Sequence, residues 1–417
     1  MRAVAALLVA GALVVATRAA ADQGQGAAGV VDRGKGSPGV VDHPLPRAAP
    51  ESVGLAPARL RAATDLLNQF VAERKIAGAV SAIARRGKLA YLEAVGFQDL
   101  ETRTPMEARS IFRIYSMTKS VTAVAVMMLH EEGRFALQDP VSKYLPEFQR
   151  VTVLAADGTT RPPARAITVE DLLLHTSGLS HRTSEIYRKA EVRSRAIGLP
   201  RFVENIVRVP LMEDPHTAFR YSEATTVLGR LVEIWSCKAF DVFLDERVFR
   251  PLRMIDTSFW VAPERRARLT RVYSPSPNGL TPFEIEAVPF TERPALVEGA
   301  VGLVSTVPDY LRFSQMLLNK GELDGARILK AATVATMTVN GLPAAILEAR
   351  KGTGWGLANV NVAANGEYGW DGTAGTIFWI DPGKEMITIL MTQSSPPNPD
   401  SLRQRFKALV QQSLVDP

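Results

Sequence analysis

Ser116-Met117-Thr118-Lys119 sets a hydroxyl and an amine three residues apart. On a helix, positions i and i+3 share a face, so the two side chains would stand side by side. A serine hydroxyl is a poor nucleophile at neutral pH and needs a base within hydrogen-bond reach. A neutral lysine amine can be that base. In the first turn of a helix the positive end of the dipole disfavours an ammonium and favours an anionic serine oxygen, and burial acts in the same direction. The spacing suits attack on a carbonyl carbon. S-x-x-K alone decides little, since it is expected about once by chance in a chain of ordinary composition. Its place singles it out: it opens the most apolar helical stretch, directly after Phe112-Arg113-Ile114-Tyr115.

Other routes to chemistry are missing from the sequence. It contains no G-x-S-x-G elbow, no H-E-x-x-H and no Walker-type loop. Five histidines and one cysteine show no metal-ligand spacing. Neither a metal nor a nucleotide cofactor is therefore expected. The 49 basic and 43 acidic residues leave a net charge of +6 but are interspersed, with no basic block and no stripe of cations among aromatics. That pattern excludes nucleic acid as the expected partner.

The elements that must position the pair follow from periodicity and punctuation. A helix is predicted over 55–74 from the spacing of Leu60, Ala63, Leu66, Leu67, Phe70 and Val71, then strands over 79–84 and 89–95 joined by a turn at Arg85-Arg86-Gly87-Lys88. A helix is predicted over 116–132. Residues 140–295 read as helices and loops with few strands, and Gly369–Thr373 leads into strands at 376–380 and 386–391, before a last helix over 401–413. Strands at both ends with helices between them predict an α+β fold, in which one sheet is assembled from distant segments around a mainly helical insertion. The α/β part is expected at about 50–115 and 296–417, and the helical part at about 116–295.

At the N-terminus, Met1-Arg2, an apolar run over 3–17 and Arg18-Ala19-Ala20-Ala21 have the layout of a signal peptide (1–21) cleaved before Asp22. The run is short for a membrane span, which needs about twenty apolar residues, and no later run is longer. A periplasmic or secreted protein without a stable membrane span is expected. Residues 22–49 are rich in Gly, Ala, Pro and Asp and read as a flexible leader, with order beginning near Pro50. Cys237, the single cysteine, forbids an internal disulfide and reads as a small buried apolar residue.

Two further motifs follow the S-x-x-K in order: Tyr221-Ser222-Glu223 and Gly369-Trp370-Asp371-Gly372-Thr373. With the runs PESVGLAPARL, FRIYSMTKSVTA, LQDPVSKYLPEF, ITVEDLLLHTSGL, YSEATTVLGRLVEIW, GAVGLVSTVPDYLRFSQMLLNKGELDGARIL and YGWDGTAGTIFWIDP, they resemble the serine β-lactamase and penicillin-binding-protein superfamily. Class C β-lactamase-like hydrolases and class VIII carboxylesterases are the nearer likeness, and it extends from Pro50 onward. The resemblance implies a β-lactamase-like fold and a small ester or amide as substrate. It implies an acyl-enzyme on Ser116, with Lys119 taking the serine proton and the Tyr221 hydroxyl relaying it. The backbone N–H groups of Ser116 and Thr373 would form the oxyanion hole. Tyr115, Glu223, Trp370, Asp371 and Gly372 would stand on the substrate side.

Two departures bear on substrate. Glu223 stands where an asparagine is usual, and Trp370 where β-lactamases carry a cation such as lysine. An indole cannot hold a carboxylate by charge, so neutral acyl esters are expected over β-lactams. The competing readings are a β-lactamase or D-Ala-D-Ala carboxypeptidase and, from another class, a non-catalytic binder of cell-wall peptides. Glu223 either sits near Lys119 or faces water, and Trp355 either lines the pocket or packs in the core. His175 is read as a structural hydrogen-bonding group, and Asp371 as facing solvent or fixing a turn. The sequence leaves the oligomeric state open.

Overall fold

Strand-forming runs from the two ends of the chain meet in one sheet. The computed structural model describes residues 44–277, 279–286 and 288–415, so the expected signal peptide and residues 22–43 of the expected leader lie outside the described residues. β1 (Gly78–Arg85) and β2 (Lys88–Asp99) form a hairpin over Arg86 and Gly87. Their φ values of 53° and 72° are the left-handed pair that a tight turn between right-twisted strands requires. β3 (Thr104–Pro105) adds a short edge. The C-terminal segment supplies β4 (Gly354–Gly356), β5 (Val360–Val362), β6 (Tyr368–Asp371), β7 (Ile377–Asp381) and β8 (Met386–Thr392). The order across the sheet is β4-β5-β6-β7-β8-β1-β2-β3. Every neighbouring pair is antiparallel. The two halves join where β1 meets β8, from Ala79 opposite Thr392 to Arg85 opposite Met386.

Because β1 is central, both of its faces are buried. Ala79 and Ile83 face one apolar cluster, while Val80, Ala82 and Ala84 face another. The first cluster is closed by α1 (Pro57–Ala72) and the C-terminal helix Leu402–Gln412, through Leu60, Leu67 and Phe70 on one and Phe406 and Val410 on the other. The second runs into the helical layer. α2 (Thr118–Glu131) is buried from Thr118 to Leu129, with Thr118, Lys119, Ser120 and Thr122 the polar residues of an otherwise apolar buried stretch, as suits a helix that others surround. α3 (Val169–Leu174) and α4 (Ala224–Ser236) lie in the helical layer, with α4 packed on α2, while α5 (Val307–Leu318) packs on the sheet and sets the Tyr310 ring 5.1 Å from Phe378. The antiparallel sheet built from distant segments and the mainly helical insertion are as expected.

Three local expectations are corrected. The segment 44–49, placed in the leader, is fixed: Leu89 N–H donates to the Pro46 carbonyl at 2.8 Å, Ala48 N–H donates to Leu89 at 3.0 Å, and Leu45 is buried. Its partners are the β2 backbone and Arg312, which donates to the Pro44 carbonyl at 2.8 Å. They lie far along the chain, and so composition does not reveal them. The helix expected from Ser116 begins at Thr118, because Tyr115–Met117 forms a 3-10 turn. Cys237 is exposed: it ends α4 in a left-handed conformation that turns its side chain out of the core. Between 140 and 295 two short hairpins occur, Val153–Leu154 with Thr160–Arg161 and Tyr273–Ser276 with Gly279–Pro282. Among the described residues no helix is long and apolar enough to cross a membrane.

Phe406 has no exposed surface and bridges the C-terminal helix to the sheet. Phe406→Ala is expected to lower unfolding stability by about 3–5 kcal/mol in urea titrations, with kcat little changed in the fraction that stays folded.

Candidate active site

The turn that carries Ser116 is held from several sides. Phe112–Arg113 pairs with Val304–Ser305, and Ile114 N–H donates to the Leu303 carbonyl at 3.1 Å. Tyr115 follows with φ 41°, a left-handed conformation that a bulky side chain adopts only where its surroundings impose it. Its ring is buried edge-on against Phe290, 5.8 Å between centroids. The Tyr310 hydroxyl donates to the Met117 carbonyl at 3.0 Å, and Leu303 N–H donates to Thr118 Oγ1 at 3.1 Å. Ser116 retains 5% of its surface, whereas Lys119 retains none.

One turn on from Ser116, Lys119 Nζ donates to the Ala300 carbonyl at 3.1 Å and lies 4.6 Å from the centre of the Tyr221 ring. Among the described residues no hydrogen bond joins the Ser116 hydroxyl to Lys119 or Tyr221, so the amine is parked on Ala300. Gly299 makes that approach possible: a Cβ there would sit 2.5 Å from the Thr225 carbonyl oxygen. Tyr221 precedes α4 and is set among aromatic rings, with His175 at 4.9 Å, Trp370 at 5.2 Å and His181 stacked at 5.5 Å. Trp370 Nε1–H donates to the Tyr221 hydroxyl oxygen at 3.0 Å. That bond occupies an acceptor site on the oxygen and leaves the phenolic hydrogen free to be donated elsewhere.

The third motif docks directly on the Ser116 turn. A Cβ on Gly372 would lie 2.4 Å from the Ile114 carbonyl oxygen, so only glycine allows the contact. Thr376 Oγ1 donates to the same carbonyl at 3.3 Å. The motif straddles an element boundary, with Gly369–Asp371 in β6 and Gly372 and Thr373 in the turn before β7. Thr373 is exposed there, and among the described residues its N–H has no acceptor. Asp371 is ion-paired with Arg403 at 2.8 Å, and Arg403 also donates to the carbonyls of Gly372 and Thr376 at 3.0 and 3.2 Å. Beside Thr373 opens a cleft of about 810 Å³ whose walls include His181, Arg182, Arg193 and Glu286.

Charge around the amine is arranged in depth. Glu223 is wholly buried, which resolves the alternative of facing water. Burial opposes its ionisation, yet Lys119, Arg182, His181 and Arg193 outweigh it and hold the carboxyl below its ordinary range. His175 is also wholly buried, with Nδ1 3.0 Å from Ser222 Oγ, and burial reinforced by Lys119 pushes its imidazole well below the ordinary range. It is a neutral packing and hydrogen-bonding group under Tyr221. Trp355 is fully buried and donates to the Leu173 carbonyl at 3.1 Å, so it belongs to the core rather than to the pocket wall.

The structure thus brings Ser116, Lys119, Tyr221, Trp370, Gly372 and Thr373 to one place. Tyr115 and Glu223 are close by but buried, with no surface to offer a ligand. Sequence reasoning missed Ala300, His181 and Arg403. Ala300 lay inside the run GAVGLVST, whose glycine signalled a close backbone approach; a lone histidine and a helical arginine carried no such signal.

Comparison with known proteins decides the kinship. The family model described as Beta-lactamase matches residues 63–412. The chain belongs to the beta-lactamase family. It is similar to Protein Rv1367c of Mycobacterium tuberculosis, with 33% identity over 77% of this chain and 86% of that protein. It is also similar to Esterase EstB of Burkholderia gladioli, with 29% identity over 83% and 93% respectively. Among solved structures, EstCE1, titled a hydrolase with promiscuous acyltransferase activity, superposes with a TM-score of 0.76 at 24% identity, covering 88% of this chain and 99% of that one. The chain is a serine hydrolase of the beta-lactamase family. In this beta-lactamase-family site, the indole at position 370 spends its one N–H on Tyr221.

Trp370→Phe removes that donor and keeps an aromatic ring. It is expected to lower kcat roughly tenfold with a much smaller change in KM, measured on a chromogenic ester. His181 gives a pH signature. Burial pushes its imidazole down to about 4, with Glu223 pulling the other way and Lys119, Arg182 and Arg193 adding to the fall. The unfolded chain therefore takes up this proton between the ordinary 6.5 and about 4, where the folded chain does not. The stabilising contribution of neutral His181 is complete above that window and is lost as pH falls through it. Urea midpoints of the wild type should drop relative to His181→Gln across this range.

Proposed function

We propose that this protein is an exported esterase that cleaves small carboxylic esters through an acyl-enzyme on Ser116. The observation that carries the reading is the wholly buried Lys119 amine, one helical turn from Ser116 and 4.6 Å from the Tyr221 ring. In this reading the amine leaves Ala300, takes the Ser116 proton, and the serine oxygen attacks the ester carbonyl. The N–H groups of Ser116 and Thr373 receive the oxyanion. The alcohol departs with a proton supplied by the Tyr221 hydroxyl, and Tyr221 is replenished by the Lys119 ammonium. A water then repeats the sequence against the acyl-serine and releases the acid.

Preference for neutral esters over β-lactams follows from how the nearby charges are spent. Trp370 brings no cation, and Arg403 is engaged by Asp371 and two carbonyls. The similarity to Esterase EstB supports the same substrate class. Export rests on the basic, apolar and small-residue succession over residues 1–21.

A short p-nitrophenyl ester should be hydrolysed with a higher kcat/KM than a chromogenic cephalosporin; the reverse order overturns the substrate assignment. Ser116→Ala should lose at least about 10³-fold in kcat and Tyr221→Phe roughly 10²–10⁴-fold. Fluorophosphonate should add mass to the Ser116 peptide, whereas an unlabelled Ser116 leaves a peptide-binding protein as the better reading. A mature N-terminus at Asp22 in the periplasm or medium supports export, and a chain retained with residues 1–21 overturns it.

A further inference from the structure

The second motif ends in Glu223, and the fold gives that carboxylate no exposed surface. It stands at the head of α4, which packs on α2, and Lys119 lies in the first turn of α2. Tyr221, two residues before Glu223, has its ring against the Lys119 amine. Glu223 Oε2 accepts from Thr226 Oγ1 at 3.2 Å, while Oε1 is buried with no donor among the described residues. An orphaned buried acceptor in a native fold calls for a reason. The ammonium form of Lys119 would be under-satisfied in the complementary sense: it has three donors, and among the described residues the one acceptor at Nζ is Ala300.

The charged groups around Glu223 come from several elements. α2 contributes Lys119, and the segments after α3 contribute His181, Arg182, Arg193 and the Tyr187 phenol. Arg193 is bonded to Glu298 and Glu286, and Arg182 to Glu286. His181 is neutral at working pH. Asp371, the other carboxylate that feels Lys119, is held by Arg403. Once protonated, Lys119 would therefore be the cation of this group whose available carboxylate is Glu223. In so dry a place the attraction acts across a gap without a direct ion pair.

We propose that Glu223 is the counter-charge for the ammonium that Lys119 becomes on accepting the Ser116 proton, a positioning residue that touches neither substrate nor Ser116. The inference rests on the acyl-enzyme reading above. In the step concerned, the Ser116 O–H bond breaks, an N–H bond forms on Lys119, the freed serine electron pair bonds the carbonyl carbon, and the C=O π pair moves onto the carbonyl oxygen as the oxyanion. Glu223 stays ionised throughout and exchanges no proton. The chain thus carries a charged partner for its base where the resembling enzymes more often have a neutral amide.

The test is the pH dependence of kcat/KM for a p-nitrophenyl ester, with the rate of fluorophosphonate labelling of Ser116 followed over the same range. Glu223→Gln keeps shape and removes charge. Its kcat is expected to fall at least about tenfold, and the acid limb of both profiles to move to lower pH, since an amine without its counter-charge stays neutral in more acidic solution. Glu223→Asp keeps the charge on a shorter stem, and its limb should fall between the other two. If Glu223→Gln does not fold, Glu223→Asp against wild type decides alone. A merely structural Glu223 would lower kcat and leave the limb in place, and that result overturns the proposal. Failure of Ser116 to label in the wild type would instead overturn the acyl-enzyme reading, so the two failures are distinguishable.

Discussion

An amine with no exposed surface, one turn along a buried helix from a nearly buried hydroxyl, is the constraint from which the rest of this fold can be read. Burying a lysine head is costly unless its donors find acceptors and its charge finds company. The structure answers with the Ala300 carbonyl and the face of the Tyr221 ring, and Glu223 is the carboxylate proposed to attend its charge. Each answer comes from a different part of the chain. The loop through Gly299 and Ala300 must press between α2 and α4, the second motif must open α4, and the third motif must reach the Ser116 turn from the sheet. The packing of α2 on α4 and the glycines at 299 and 372 serve that convergence.

The sheet supplies the rigidity. β6 and β7 are anchored through β8 to β1, which is buried on both faces, so the turn holding Gly372 and Thr373 hangs from the least deformable part of the molecule. Arg403 in the C-terminal helix ties that turn further through two carbonyls and Asp371. The strained backbone at Tyr115 is tolerable because Phe290, Leu303 and Tyr310 fix the segments on either side.

Much of the architecture was legible. The helix at 57–72, the hairpin at 78–99, the strands at 377–392 and the last helix announce themselves through apolar spacing of 3.6 or 2 and through Gly, Pro and Asp at the turns. The legible part fails where partners are remote. Residues 44–49 read as leader because their polar groups are answered by Leu89 and Arg312. Cys237 reads as core because composition cannot show a left-handed helix end. His181 gives no hint in sequence that it will stack on Tyr221, and the engagement of Asp371 by Arg403 spans thirty-two positions of chain.

By itself the sequence determined the kinds of group available for chemistry and their local order: a serine and a lysine at helical spacing, a tyrosine ahead of a helix, and a Gly-Trp-Asp-Gly-Thr run beside a strand. Spacing along a chain is a local property, and helix geometry converts it directly into neighbourhood. Tertiary structure alone decided that the Trp370 N–H is spent on Tyr221, that Lys119 rests on Ala300, and that Glu223 turns inward to a crowd of cations rather than to water. Those choices depend on which distant segments exclude water from the same few cubic ångströms, and the free energy of a charge or a donor is set by that exclusion.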